Sequence, residues 1–157
     1  MECSEWIAIA DIIVSIALGI FLIIVIQNNY EKSRCLRNFF ISELKTLESE
    51  YRTFCNEICY GNISAKEITT RLKTFSQRIS NIERSINSKF KIKSLKIGEL
   101  HTKLQQEITY LDDFNSQFNN SHISLSTSSI KLVINNFELL SNSIITCVIE
   151  VNEVKIK

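Results

Sequence analysis

Ten basic side chains (Lys66, Arg71, Lys73, Arg78, Arg84, Lys89, Lys91, Lys93, Lys96 and Lys103) stand between residues 66 and 103, against three acidic ones, Glu67, Glu83 and Glu99. The densest part, Lys89, Lys91, Lys93 and Lys96, offers charge and N–H donors to phosphate. Nucleotides, nucleic acids and anionic lipid headgroups are all bound by that chemistry, and a solvated charged face is the plainer reading of the same run. The stretch Asn115–Ser129, NSQFNNSHISLSTSS, adds hydroxyls, amides and His122. Such groups suit base edges and ribose hydroxyls, and they equally suit a linker that supplies helix caps. Lys89, Lys91, Lys93, Lys96 and His122 form the candidate ligand-binding set.

Enzyme chemistry is not signalled. The chain has no G-x-S-x-G, no P-loop, no H-E-x-x-H and no C-x-x-C pair. A helical ribonuclease pattern needs an Arg four to six residues before a His, and neither His101 nor His122 has one. His101 reads as a surface or edge side chain of a helix. Cys55 and Cys59 stand one helical turn apart, but no second pair accompanies them, so a small apolar role is favoured over metal ligation. Five cysteines, an odd number without disulfide-framework spacing, fit a reducing compartment. The expectation is a protein without enzymatic activity, metal or cofactor.

The elements that must position these groups begin with an apolar run. Trp6–Ile26 reads WIAIADIIVSIALGIFLIIVI, with Asp11 as its only charge. At ~1.5 Å per residue such a helix is ~31 Å long, close to the hydrocarbon thickness of a bilayer. A signal peptide would need a basic start and a small-residue cleavage site, and neither is present. Lys32, Arg34 and Arg37 follow the run and no basic residue precedes it, which places the N-terminus outside and the rest in the cytoplasm. The expected organisation is a transmembrane anchor over 1–30 in the cell inner membrane and a cytoplasmic helical domain over 31–157. Asp11, Ser15 and Gly19 share one stripe of the anchor helix, with small residues that allow close helix approach. A homo-oligomer through that face is expected, since an ionisable group in a span usually faces a partner helix or water.

The cytoplasmic part reads as helices. Leu36, Phe40, Leu44, Leu47, Tyr51, Phe54 and Ile58 recur in steps of four and three, a face of coiled-coil type. Gly61-Asn62 ends that helix, and Ser64-Ala65-Lys66-Glu67 is a capping box for the next. The second helix carries Ile68, Leu72, Phe75, Ile79, Ile82 and Ile86 and should fold back as an antiparallel hairpin. A third is expected from Gly98 to Phe118, with Leu100, Leu104, Ile108 and Leu111 on one face. A fourth starts in Ser126–Ser129 and carries Ile130, Ile134, Phe137, Ser141, Ile144, Val148 and Val151. Lys89–Lys93 and Val148–Lys157 alternate in the manner of strands and would make a short β ribbon if paired. The fold class is mainly α: an anchor helix followed by a helical hairpin or bundle.

In outline the apolar run Trp6–Ile26, the basic flank Lys32–Arg37 and the short helical domain resemble the small single-span CRISPR-associated membrane effectors of prokaryotic antiviral defence. The resemblance implies an oligomer that binds a cyclic oligoadenylate made by an upstream CRISPR effector complex and then perturbs the bilayer. Two other readings stay open: a coiled-coil tether that recruits a protein partner, and a ligand-independent pore accessory.

Overall fold

A computed structural model describes residues 3–92 and 95–154; of the side chains before Glu31 it describes Leu18, Ile20, Phe21 and Gln27. Among the described residues five helices follow one another: α1 (Cys3–Cys59), α2 (Ala65–Phe90), α3 (Ile97–Tyr110), α4 (Asp112–Ser116) and α5 (Thr127–Glu153). The chain is mainly helical, with no strand among the described residues. It divides into two compact units, Met1–Asn38 and Phe39–Lys157.

In the first unit the apolar run Trp6–Ile26 is helical throughout. Its described apolar side chains, Leu18, Ile20 and Phe21, are exposed. Asp11, Ser15 and Gly19 lie outside the described side chains, and Lys93 outside the described residues.

The second unit is built on the expected hairpin. Phe40, Leu44, Leu47, Tyr51, Phe54 and Ile58 of α1 are buried, as are Ile68, Leu72, Phe75, Ile79, Ile82 and Ile86 of α2. Gly61 takes the left-handed conformation, φ 69°, that glycine adopts without a Cβ penalty. Around it Asn62 donates to the Glu57 carbonyl at 2.9 Å and Gly61 to Ile58 at 3.2 Å, a Schellman ending. Ser64 Oγ accepts from Glu67 N at 3.2 Å, which is half of the expected capping box. The other half is absent because the Glu67 carboxylate pairs with Arg71 at 2.7 Å.

Charge flanks this seam at heptad spacing. Glu43, Glu50 and Glu57 lie seven residues apart on α1, and Arg71 and Arg78 seven apart on α2. Running antiparallel, Arg71 meets Glu57, while Arg78 meets Glu50 at 2.6 Å and Glu43 at 3.1 Å. Two members of the basic middle are therefore neutralised by α1.

The third and fourth helices depart from the expected pattern. The third stops at Tyr110 because Leu111 is extended (φ −62°, ψ 133°), and Asn115 Nδ2 donates to the carbonyls of Thr109 and Leu111, each at 3.1 Å. Its buried face is Ile97, His101, Leu104 and Ile108, not the row through Leu100 and Leu111. On α5 the core takes Val133, Leu140, Ile144, Cys147 and Val151, and Ile134 is left exposed. No β ribbon forms among the described residues, since Lys89 and Phe90 close α2 and Val148–Glu153 completes α5. Backbone hydrogen bonding within the helices wins over local alternation once each segment has an apolar face to bury.

By length and composition α5 is long and apolar enough to cross a membrane. It nonetheless belongs to the core of the second unit: Leu140 and Val151 are fully buried, and Ser141 Oγ donates to Glu48 of α1 at 2.8 Å.

Candidate functional site: a polar cleft between α2 and α3

Three helices converge on His101. Tyr51 comes from the buried face of α1, Ser76 from the edge of α2, and His101 from the face that α3 turns inward. The Tyr51 hydroxyl meets His101 Nδ1, and Ser76 Oγ lies 2.6 Å from Nε2. Tyr51 also stacks on Phe75, ring centroids 4.0 Å apart, which fixes the hydroxyl's aim. A neutral imidazole has one donor and one acceptor nitrogen, so one of these hydroxyls donates to the ring and the other accepts from it. Both ring nitrogens are thereby satisfied in a 2 % exposed side chain. Burial pushes the His101 pKa down to about 4, against a smaller opposing effect of the Leu72 backbone. Burial first, and Cys55 second, raise the Tyr51 phenol above its usual range. Both groups are neutral near pH 7.

A cleft of about 370 Å³ opens beside this trio, a size that suits a small-molecule ligand. Ser76, Ser80, Arg84, Asn87 and Thr102 supply its polar wall, and Ile79, Ile92 and Leu95 its apolar one. Glu83 also lines it; its Oε1 accepts from the Gly98 N–H at 3.0 Å, at the start of α3. Arg84 has no carboxylate partner among the described residues, so its guanidinium is available to an anion. Two grooves of similar size hold Arg71 and Arg78, whose charges are already matched by glutamates.

Of the sequence-derived ligand set, Lys89, Lys91 and Lys96 are exposed near the chain segment that borders this cleft, but none lines it. Lys91 takes a left-handed conformation, φ 61°, as the C-cap of α2. His122 is exposed and stands apart from them. Its neighbour Ile123 donates to the Ile63 carbonyl at 3.1 Å, which fastens that loop beside the α1–α2 turn. The lysines sit at the other end of α2, a helix of 26 residues and hence ~39 Å long. One ligand of nucleotide size does not touch both.

The polar loop before α5 is used by the chain itself. Gln117 bonds Ser124 in both directions at 2.8 Å, and Asp113 accepts from Ser126 N at 2.9 Å and Ser129 Oγ at 2.6 Å. Those bonds, the Ser129 hydroxyl first, hold the Asp113 carboxyl below its usual pKa. Ser126 caps α5 as the linker reading expects. Cys55 is buried, its thiol pushed up to about 12 by burial and then by Cys59, which keeps it protonated.

Sequence reasoning missed Tyr51, Ser76 and Arg84, and it placed His101 at the surface. The one signal available was spacing: Ile97, His101, Leu104 and Ile108 form an i, i+4, i+7, i+11 row, with histidine at an apolar position. The second unit is thus a bundle of four long helical segments with a polar cleft on one side. No family model matches the chain, no curated protein matches its sequence, and no solved structure matches its fold.

Proposed function

We propose that the protein is a membrane-anchored sensor: Trp6–Ile26 crosses the bilayer, the bundle is cytoplasmic, and the α2–α3 cleft takes an anionic nucleotide. The observation that carries this reading is the cleft itself, where Arg84, without a carboxylate partner among the described residues, stands with Ser80, Asn87, Thr102 and the His101–Ser76 pair. Arg84 holds a phosphate, the amide and hydroxyls hold base and sugar, and Lys89, Lys91 and Lys96 add positive charge nearby. The apolar anchor is supported by the outward Leu18, Ile20 and Phe21 and by the length of the run. The resemblance drawn from the sequence puts cyclic oligoadenylate first among ligands, with an upstream CRISPR effector complex as its source and bilayer disturbance by an oligomer as the output. Such a ligand acts only if it binds the active arrangement more tightly than the resting one.

The tether reading needs free heptad faces, whereas Phe40–Ile58 and Ile68–Ile86 bury theirs within the chain. The pore-accessory reading rests on Asp11, Ser15 and Gly19 and makes the protein indifferent to nucleotides.

The test is thermal unfolding of the full chain in nanodiscs against cyclic and linear oligonucleotides. A ligand at a hundred times its dissociation constant adds ~2.7 kcal/mol, and Arg84→Ala should abolish the gain. A folded protein that no member of the panel stabilises would sink the nucleotide reading.

A further inference from the structure

Lys89, Lys91 and Lys96 are exposed, line no part of the cleft and form no ion pair among the described residues. They stand at the end of the second unit where the chain enters it. The last residue of α2, Phe90, packs edge-on against Phe40, ring centroids 5.8 Å apart, and Phe40 is the second residue of that unit. The turn at Gly61 lies at the opposite end of α2, with the Ile123 loop fastened beside it. Charge is polarised between the two ends. From Lys89 to Lys96 the chain has no acidic residue. Around the Gly61 turn, residues 54–67 and 111–131 hold Glu57, Glu67, Asp112 and Asp113 against Lys66 and Lys131. The acids nearest the lysine end belong to the helices: Glu83, which accepts from the Gly98 N–H, Glu99 on α3, and Glu150 and Glu153 on α5.

Chain length bounds what this end can meet. On the membrane-anchor reading, on which this inference rests, the apolar run ends at Ile26, fourteen residues before Phe40, or ~21 Å at helical rise. The headgroup layer occupies ~6 Å of that length. The field of an anionic leaflet extends about another 8 Å at physiological salt. What remains is within the reach of a lysine side chain. Lys32, Arg34 and Arg37 lie on the intervening segment, so the chain offers six cations to one leaflet, a number that suffices to hold anionic lipid. We propose that Lys89, Lys91 and Lys96 dock the basic end of the helical bundle on the anionic phospholipid headgroups of the bilayer that the anchor crosses. The same field turns the acidic Gly61 end away from the surface. Arg84 remains in the cleft, and the docking needs no nucleotide.

Amine acetylation of the full chain in nanodiscs, read lysine by lysine by mass spectrometry, tests this. Discs of phosphatidylcholine alone are compared with discs that also carry phosphatidylserine. An anionic surface keeps nearby amines protonated, so Lys89, Lys91 and Lys96 should label about threefold more slowly in the anionic discs. Lys66 and Lys131, exposed at the other end, should label at the same rate in both. At 1 M salt, where the screening length falls to ~3 Å, the protection should vanish. Lys89→Gln with Lys91→Gln should return Lys96 to its rate in neutral discs. Equal labelling in the two kinds of disc overturns the proposal and leaves the anchor standing. A chain that does not enter neutral discs ends the anchor reading and the proposal with it. Slower labelling of Lys66 and Lys131 as well overturns it, because the bundle then has no preferred end. Protection of the three lysines by inorganic phosphate in neutral discs, with none from phosphatidylserine, would assign them to a soluble anion and overturn it equally.

Discussion

The α1–α2 seam and the α2–α3 contact lie at the same depth and are held by different means. Along the seam every inward position is apolar except for the Tyr51 hydroxyl, and the charges stand outside it in heptad register. At the α2–α3 contact a buried histidine takes its two hydrogen bonds from hydroxyls of neighbouring helices. The first arrangement stabilises by area removed from water and is indifferent to protons. The second fixes how three helices meet only while the imidazole stays neutral. A region held by buried apolar area adjoins one whose contribution depends on pH.

The largest expected effect tests the seam. Leu72 is fully buried, and Leu72→Ala should cost about 3–4 kcal/mol through lost transfer free energy and the cavity left behind. Melting of the full chain in detergent micelles should show the deficit unchanged between pH 7 and pH 4.5. A deficit that varied with pH would mean the two regions are not separable.

Next comes the histidine. Its folded pKa of about 4 lies below the usual 6.5, so the unfolded chain binds the proton first. The stability it supports is complete above pH ~6.5, falls as the pH drops towards 4, and changes no further below that. The difference between the two pKa values corresponds to roughly 3 kcal/mol. His101→Gln should flatten the profile over that window. An equally steep acid loss in the variant would show that another group, not the imidazole, carries it.

Gly61→Ala probes the turn that sets the seam's register. A side chain at φ 69° is strained, and a Cβ there would meet the Ile123 carbonyl oxygen at 2.7 Å. A loss of about 2 kcal/mol is expected, more than the ~1 kcal/mol of a left-handed alanine alone, because the loop carrying Ile123 must shift. The Ile123–Ile63 hydrogen bond would loosen with it, read as faster amide exchange at Ile123. Unchanged exchange would mean the loop is held by Gln117 and Asp113 instead.

These regions also differ in how far the sequence disclosed them. The seam was legible because one periodicity governs both helices: each apolar step of three or four is also a contact, and Gly61 and Ser64 mark the turn. The third helix was not, because its boundary is set by the extended Leu111 and by Asn115 bonding the Thr109 and Leu111 carbonyls, which no periodicity announces. His101 was misplaced since a polar residue at an apolar position is read as exposed until its partners are known, and Tyr51 and Ser76 are fifty and twenty-five residues distant. On α5 two apolar stripes overlap in sequence, and only packing decides which one the bundle keeps.

The smallest effect distinguishes the seam's charges from its core. Arg78 gives one nitrogen to Glu50 and another to Glu43, and its side chain is about a quarter exposed. Pairs of this exposure contribute up to ~1 kcal/mol each, so Arg78→Ala should cost roughly 1 kcal/mol in dilute buffer. Arg78→Lys should recover only part, because a lysine lacks the planar fork that reaches two carboxylates at once. At 1 M salt the screening length shrinks to ~3 Å, and the gap between wild type and Arg78→Ala should narrow. The Leu72→Ala gap should not narrow. If both gaps responded alike, the heptad glutamates would have to be counted with the core rather than as register marks outside it.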